Sequence, residues 1–274
     1  SKSYIHYYKY KKYFLKNLRF KESMNDQRCF IVGSGNSIND VDLELLKNEN
    51  LIFLNSFLHH DKYSDLIKSN RGKKFHVFTP LHAFKNKNIL ENYIDEFKNP
   101  ILKNVTCFFG IDDFSTNYIK EFRKKNLEIH DTSYYVYCTK KPDENKPLAP
   151  DDFELSKNIW SPKTSSNFAL QIAIYMNFNE IYLIGIDHDY MNTKNVENIK
   201  VIKQGTLVED EQDQWKAHLK DGKIDQTLFL KDLIPVIKPM EIIEKKFPGR
   251  VKNISKRSFF YCHDQVDISD LEFE

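Results

Sequence analysis

Hydroxyl and ionisable side chains gather in one stretch of the chain. Thr164, Ser165 and Ser166 open an apolar run from Asn167 to Met176 that reads as a buried helix. Glu180 to Ile184 follows as a buried strand, and Asp187, His188, Asp189 and Tyr190 stand at that strand's carboxyl end. A helix start has N–H groups that no helical carbonyl satisfies, so small hydroxyls beside it make a natural phosphate seat. Asp187 and Asp189 offer two hard oxygen ligands, which suit Mg²⁺ or Mn²⁺ on a diphosphate. The alternative is that Asp187 caps a turn while His188 or Tyr190 faces the ligand.

Three further groups carry chemistry. Gly33-Ser34-Gly35-Asn36-Ser37 directly follows an apolar strand, where glycine permits a tight turn and close backbone approach to a nucleotide phosphate. Ile38 stands where the dinucleotide fingerprint has its third glycine, and no Lys-Ser/Thr follows, so the loop is not a P-loop. Asn55, Ser56 and Thr79 end two other strands, and their amide and hydroxyl groups suit a base or ribose. Singly, such residues are ordinary turn formers. His218 lies in a weakly patterned segment, where a histidine on a lid would serve as general base; a plain exposed loop histidine is the competing reading. No HxxxH or HExxH spacing supports zinc.

The elements that must position these groups follow from hydrophobic patterning. A first helix is expected over Tyr4 to Phe20 and a short one around Val41 to Lys47. Strands are expected at Cys29–Val32, Leu51–Leu54, Phe75–Phe78, Val105–Phe109, Glu180–Ile184 and Arg250–Ile254. Helical patterns cover Ile89 to Phe97 and Thr116 to Lys124, and a late one, interrupted by Pro235 and Pro239, ends near Phe247. Apolar strands alternating with helices predict an α/β fold with a doubly wound, mostly parallel sheet. Asp131 to Trp160 and Asn192 to Lys223 are weakly patterned and too long for ordinary connections, which suggests lids or binding loops. The expected division is an N-terminal basic and aromatic helix over 1–27, a nucleotide-binding domain over 28–190, a lid and acceptor region over 191–224, and a closing helix and strand over 225–274.

The bulk composition bounds the function. At 274 residues, 41% apolar and 29% charged, the chain is globular in character. A formal net charge of +2 gives no case for nucleic acid. Lys2 to Lys21 is rich in Lys, Arg and Tyr with no acid before Glu22, while the last residues are acidic. The plainer reading is a solvated helix packing its aromatic face on the core; the same composition suits an anionic membrane surface. No apolar run is long enough to span a bilayer and no signal-peptide pattern opens the sequence, so the expected location is cytoplasmic, with peripheral contact at the inner membrane face. Cys29, Cys107, Cys138 and Cys262 are widely spaced with no CxxC and read as reduced thiols.

In order along the chain, Val-Gly-Ser-Gly-Asn-Ser, then Asn55-Ser56-Phe57 with Asp61-Lys62-Tyr63, then Thr164-Ser165-Ser166, then Glu180 through Asp187 resemble the bacterial sialyltransferases of glycosyltransferase family 42. They are similar also to a broader set that includes flagellin nonulosonate transferases and a pterin diphosphokinase-like branch. The resemblance covers roughly Cys29 to Tyr190, with a looser echo through His218 to Ile254. It implies a Rossmann-like, GT-A-like single nucleotide-binding domain with a small lid, a CMP-sialic acid donor, a glycan or glycolipid acceptor, and no metal or other cofactor. It implies that Gly33, Ser34 and Gly35 lie near the nucleotide, that Asn55 contacts it, and that Ser165 lies near the donor. It further implies that Tyr190 steadies the leaving phosphate and that His218 is the general base, with His188 the alternative. Two positions depart from the family pattern: Pro162 replaces an arginine before the Thr-Ser pair, with Lys163 beside it, and Thr79 replaces a second strand-end asparagine. Two other functions stand beside this one: a Mg²⁺- or Mn²⁺-dependent transferase of a UDP- or GDP-sugar or a pterin diphosphate using Asp187 and Asp189, and a non-catalytic nucleotide-sugar binding protein. A homo-oligomer is compatible with all three.

Overall fold

The computed structural model describes residues 2–81, 86–114, 116–127, 131–142, 152–187, 219–220, 223–224, 226–255, 258 and 261–273. Its centre is a nine-stranded sheet. In chain order the strands are β1 (Arg28–Val32), β2 (Asn50–Leu54), β3 (Lys74–Phe78), β4 (Thr106–Ile111), β5 (Ser133–Lys140), β6 (Asn158–Trp160) and β7 (Glu180–Ile184). A small antiparallel pair follows, β8 (Leu219–Lys220) with β9 (Lys223–Ile224), and then β10 (Val251–Asn253) and β11 (Asp264–Gln265) complete the main sheet. The spatial order is β11-β10-β7-β1-β2-β3-β4-β5-β6, and every pairing in it is parallel. The chain steps outward from β1 to β6 and then returns to the other side of β1. The topological switch therefore lies between β1 and β7, where ligands bind in open α/β sheets.

Helices cover both faces, so the inner strands are apolar on both sides rather than alternating. Cys29 and Ile31 of β1 join one core with α5 (Ser165–Met176) and α6 (Gln226–Lys246). Phe30 and Val32 join the opposite core with α1 (Lys2–Phe14), α2 (Tyr63–Ser69), α3 (Lys87–Glu96) and α4 (Tyr118–Lys124). Every residue of α5 from Ser166 to Met176 is buried, which its all-round apolar sequence requires. Asn177, left-handed at φ 65°, ends it.

α5 packs against β1, β2 and β3. Its last turn accepts main-chain hydrogen bonds from the segment entering β1: Glu22 N to Tyr175 O, 3.0 Å, and Met24 N to Met176 O, 2.8 Å. Its C-terminus thus lies at the strands' amino ends, and its N-terminus at the carboxyl ends, level with the Gly33 loop.

The doubly wound parallel sheet is the expected fold, with differences in detail. Asp131 to Trp160, expected to be weakly structured, contributes β5 and β6. In β5 the run Tyr134-Tyr135-Val136-Tyr137-Cys138 is buried throughout, so no alternating pattern marks it. The first helix gives way at Leu15 to a 3-10 turn, Leu15–Phe20, whose buried Asn17 amide donates to Tyr135 O and Leu155 O, each at 2.8 Å. The short helix expected at Val41 to Lys47 is instead two 3-10 turns, Asn36–Asp40 and Leu43–Asn48. Pro235 and Pro239 do not interrupt α6, which runs through both. A proline inside a helix costs about 3 kcal/mol; here Leu233, Val236, Met240 and Ile243 bury a continuous stripe across both prolines. Among the described residues no helix is long and apolar enough to cross a membrane.

Candidate functional site

The carboxyl ends of β1 and β7 are fastened directly to one another. Gly33 N donates to Ile184 O and Gly35 N to Gly185 O, both at 2.8 Å, so the parallel ladder continues into the two loops. The approach is too close for side chains. A Cβ on Gly33 would stand 2.4 Å from Gly185 O, and one on Gly35 would stand 2.7 Å from an Asp187 carboxylate oxygen. Gly185 also takes φ +62°, a conformation L side chains rarely adopt.

Asp187 holds this junction. One of its oxygens accepts the Ser37 main-chain N–H at 2.9 Å; the other accepts the Ser37 hydroxyl and, at 2.6 Å, the Ser255 hydroxyl from beyond β10. A buried carboxylate so bonded ties three strand ends together. As a metal ligand it would have to give up donors that are themselves buried, and Asp189, its intended partner, lies outside the described residues. The described residues hold no group of three metal-ligating side chains. These hydrogen bonds are those of a turn-fastening carboxylate.

The ends of β2 and β3 form a second polar pair. Asn55 Oδ1 accepts Thr79 N at 3.2 Å, and Asn55 Nδ2 donates to Thr79 Oγ1 at 3.3 Å. The primary amide keeps one N–H and one acceptor lone pair unused by Thr79, a donor and acceptor side by side at a strand end. Ser56 lies on the same 3-10 turn, Asn55–His59.

At the start of α5, Thr164 is the N-cap. Its hydroxyl accepts Asn167 N at 3.3 Å and contacts the Ser166 hydroxyl at 2.8 Å. The half-buried Ser165 side chain has no hydrogen-bond partner among the described residues. Thr164 and Ser166 thus build the cap, and Ser165 is the hydroxyl left over. Asn167 donates to Val236 O of α6 at 3.0 Å, and Gln171 binds Trp160 main chain of β6, so the helix start is held from both sides.

Gly33, Ser34, Gly35 and Asn36, the Asn55–Thr79 pair, and Thr164, Ser165 and Ser166 accordingly share one sheet edge. His188, Asp189, Tyr190 and His218 lie outside the described residues. Sequence reasoning missed Ser37 and Ser255 as the fasteners of Asp187. It also missed Tyr118, whose hydroxyl donates to Thr79 O at 2.8 Å, and His76, whose Nε2 meets Asn55 O at 3.0 Å. His76 carries a faint signal, a polar residue inside an otherwise apolar strand; Ser255 carries none.

No family model and no curated protein matches the chain. Among solved structures it is similar to the sialyltransferase CstII from Campylobacter jejuni in complex with the substrate analogue CMP-3FNeuAc. The identity is 18%, covering 88% of this chain and 85% of that one, with a TM-score of 0.42. It is similar also to CstII with cytidine-5'-monophosphate, at 17% identity over 88% and 85% of the two chains and a TM-score of 0.44. The apo form of an alpha-2,3-sialyltransferase from Campylobacter jejuni matches at 17% identity over 90% and 83%, with a TM-score of 0.45. At this distance the functional reading rests on the site's residues rather than on the likeness.

Proposed function

We propose that the chain is an inverting glycosyltransferase that moves a sialic acid, or a related nonulosonic or ulosonic acid, from a CMP-activated donor to a cell-surface glycan or glycolipid. The observation that carries this reading is the convergence, at one sheet edge, of three groups suited to a nucleotide monophosphate. A glycine loop allows close backbone approach, Asn55 offers a donor and an acceptor to a base or ribose, and Ser165 tops a helix N-terminus suited to phosphate. The sequence resemblance supplies the choice of CMP.

In this scheme the acceptor oxygen attacks the donor's anomeric carbon from the face opposite the phosphate. The bond to the CMP oxygen breaks, and the departing charge falls on the phosphate. The Ser165 hydroxyl, the N–H groups at the start of α5 and Tyr190 stabilise that charge as it grows. His218 takes the acceptor's proton, with His188 the alternative base. No metal enters this scheme, in keeping with an Asp187 carboxylate already bonded to Ser37 and Ser255.

The same proposal includes a peripheral membrane contact through the N-terminal segment. The exposed side of α1 and of the 3-10 turn that follows it combines Ile5, 73% exposed, Tyr8 and Leu18, both 51%, with exposed Lys9, Lys12, Lys16 and Arg19. A face of this composition suits an anionic lipid surface, which would hold the enzyme near a lipid-linked acceptor. Co-sedimentation with phosphatidylglycerol vesicles but not phosphatidylcholine vesicles is the expected result.

The decisive test is a thermal-shift screen against CMP, UDP, GDP and ATP, with and without Mn²⁺. At ligand concentrations near 100 Kd, binding adds about 2.7 kcal/mol, or roughly 5–10 °C in Tm for a chain of this size. CMP alone should give that shift without metal. A shift with UDP and Mn²⁺ and none with CMP would sink the proposal.

A further inference from the structure

The main chain at Asn55 takes an unusual conformation beside a buried pair of side chains. Asn55 has φ +28° immediately after β2, a region that costs a non-glycine residue on the order of 1 kcal/mol and persists only where neighbours enforce it. Behind it stands His76 of β3, fully buried, its ring stacked on Phe78 at 4.2 Å and edged by Tyr63 at 5.4 Å. A phenylalanine would suit these aromatic surroundings. What the imidazole adds is two hydrogen bonds, Nε2 with Asn55 O at 3.0 Å and Nδ1 with the Tyr63 hydroxyl at 2.8 Å.

The chemistry of the partners assigns the protons. A carbonyl oxygen can only accept, so Nε2 carries the hydrogen; Nδ1 then accepts, and the Tyr63 hydroxyl donates. The ring is neutral, since burial lowers its pKa to about 3, despite the opposing hydrogen bond to Asn55. The result is a directed chain from Tyr63 through His76 to the Asn55 carbonyl. The Asn55 side chain is meanwhile held to Thr79, and the Thr79 carbonyl is held by Tyr118.

We propose that His76, backed by Tyr63, is a positioning residue for nucleotide recognition: it locks the Asn55 backbone so that the amide's spare N–H and lone pair meet the nucleotide in one orientation. This rests on the reading that Asn55 contacts a CMP moiety. His76 touches no ligand and acts only through Asn55.

The test is calorimetric titration of the full chain with CMP, alongside thermal melts and far-UV circular dichroism. Asn55→Ala and His76→Phe should each weaken CMP binding about tenfold, and the double variant should be no weaker than Asn55→Ala alone, because both remove one interaction. His76→Gln, whose amide nitrogen can occupy the place of Nε2, should recover most of the affinity; His76→Asn, which reaches only the place of Nδ1, should not. Tyr63→Phe should weaken binding about threefold by loosening the ring. If Asn55→Ala leaves CMP affinity unchanged, or wild type does not bind CMP, the underlying nucleotide reading fails. If Asn55→Ala weakens binding but folded His76→Phe does not, or if the two effects add, the positioning role is overturned while that reading stands. Should His76→Phe not fold, the contrast between His76→Gln and His76→Asn decides: equal affinities overturn the proposal.

Discussion

The two ends of the sheet treat their polar groups in opposite ways. At the amino ends of the strands, charged and amide groups are matched to one another. Arg28 forks onto Glu49 at 2.6 and 3.0 Å, Lys252 pairs with Glu180, and Arg250 binds Phe178 O and Asn177 Oδ1 at the end of α5. Glu154 accepts from Tyr175, Ser156 and Lys21. A cleft of ≈ 280 Å³ opens at this end, but Lys21, Glu154, Tyr175 and Arg250, which line it, spend their bonds within the protein. At the carboxyl ends, Asn55 and Ser165 keep hydrogen-bonding capacity in reserve. Groups that satisfy one another stabilise a fold; groups left partly unsatisfied at a strand edge are available to a ligand.

Substitutions should separate the two ends. The largest effect is expected for Gly33→Ala, which drives a methyl into the Gly185 carbonyl. The β1 and β7 loops must part, at a cost of about 3 kcal/mol, and any CMP-induced shift in Tm should vanish. Asp187→Ala should cost about 2–3 kcal/mol by stranding the buried Ser37 and Ser255 donors. Chemical denaturation measures it, and Asp187→Asn, which keeps acceptor oxygen, should lose less. Unchanged stability in Asp187→Ala, together with lost Mn²⁺-dependent binding, would restore the metal role.

At the other end, Glu154→Gln should lower stability and leave the CMP response intact. Burial raises the Glu154 pKa, but the hydrogen bonds from Tyr175, Lys21 and Ser156 outweigh it, so the net direction is downward from 4.5. A depressed folded-state pKa contributes stability above the ordinary carboxylate range, lost as pH falls through the folded value. The Tm difference between wild type and Glu154→Gln should accordingly be full at pH 7 and shrink below about pH 4.5. The smallest effect on stability, within about 0.5 kcal/mol, belongs to Ser165→Ala, which removes a hydroxyl from the first turn of α5. Its consequence should appear in affinity, as roughly a tenfold weaker CMP titration, equivalent to ~1.4 kcal/mol.

Much of the fold was legible because strands buried on both faces leave dense apolar runs: β1, β2, β3 and β7 lie within a residue of their expected bounds. β5 was missed for a related reason. Its tyrosines are buried on both faces, so a continuous aromatic run without alternation or an obvious stop looked like irregular chain. β6, three residues at the sheet edge, is too short to carry a pattern. The proline-bearing α6 shows packing overriding local propensity.

By itself, the sequence determined the parallel α/β class, the glycine loop after β1, the hydroxyl-rich start of α5 and the polar residues ending β2, β3 and β7. Each is a local pattern, set by strand and helix periodicity, by turn-forming residues and by capping. Only the tertiary structure decided what those residues do to one another. Asp187 meets Ser37 across 150 positions and Ser255 across 68; Asn55 meets Thr79 across 24, and the His76 main-chain contact spans 21. Parallel strands pair only through long crossovers. The partners at one sheet edge are thus remote in sequence, and no local signal says which carboxylate will be consumed in fastening loops and which amide will keep a bond to spare.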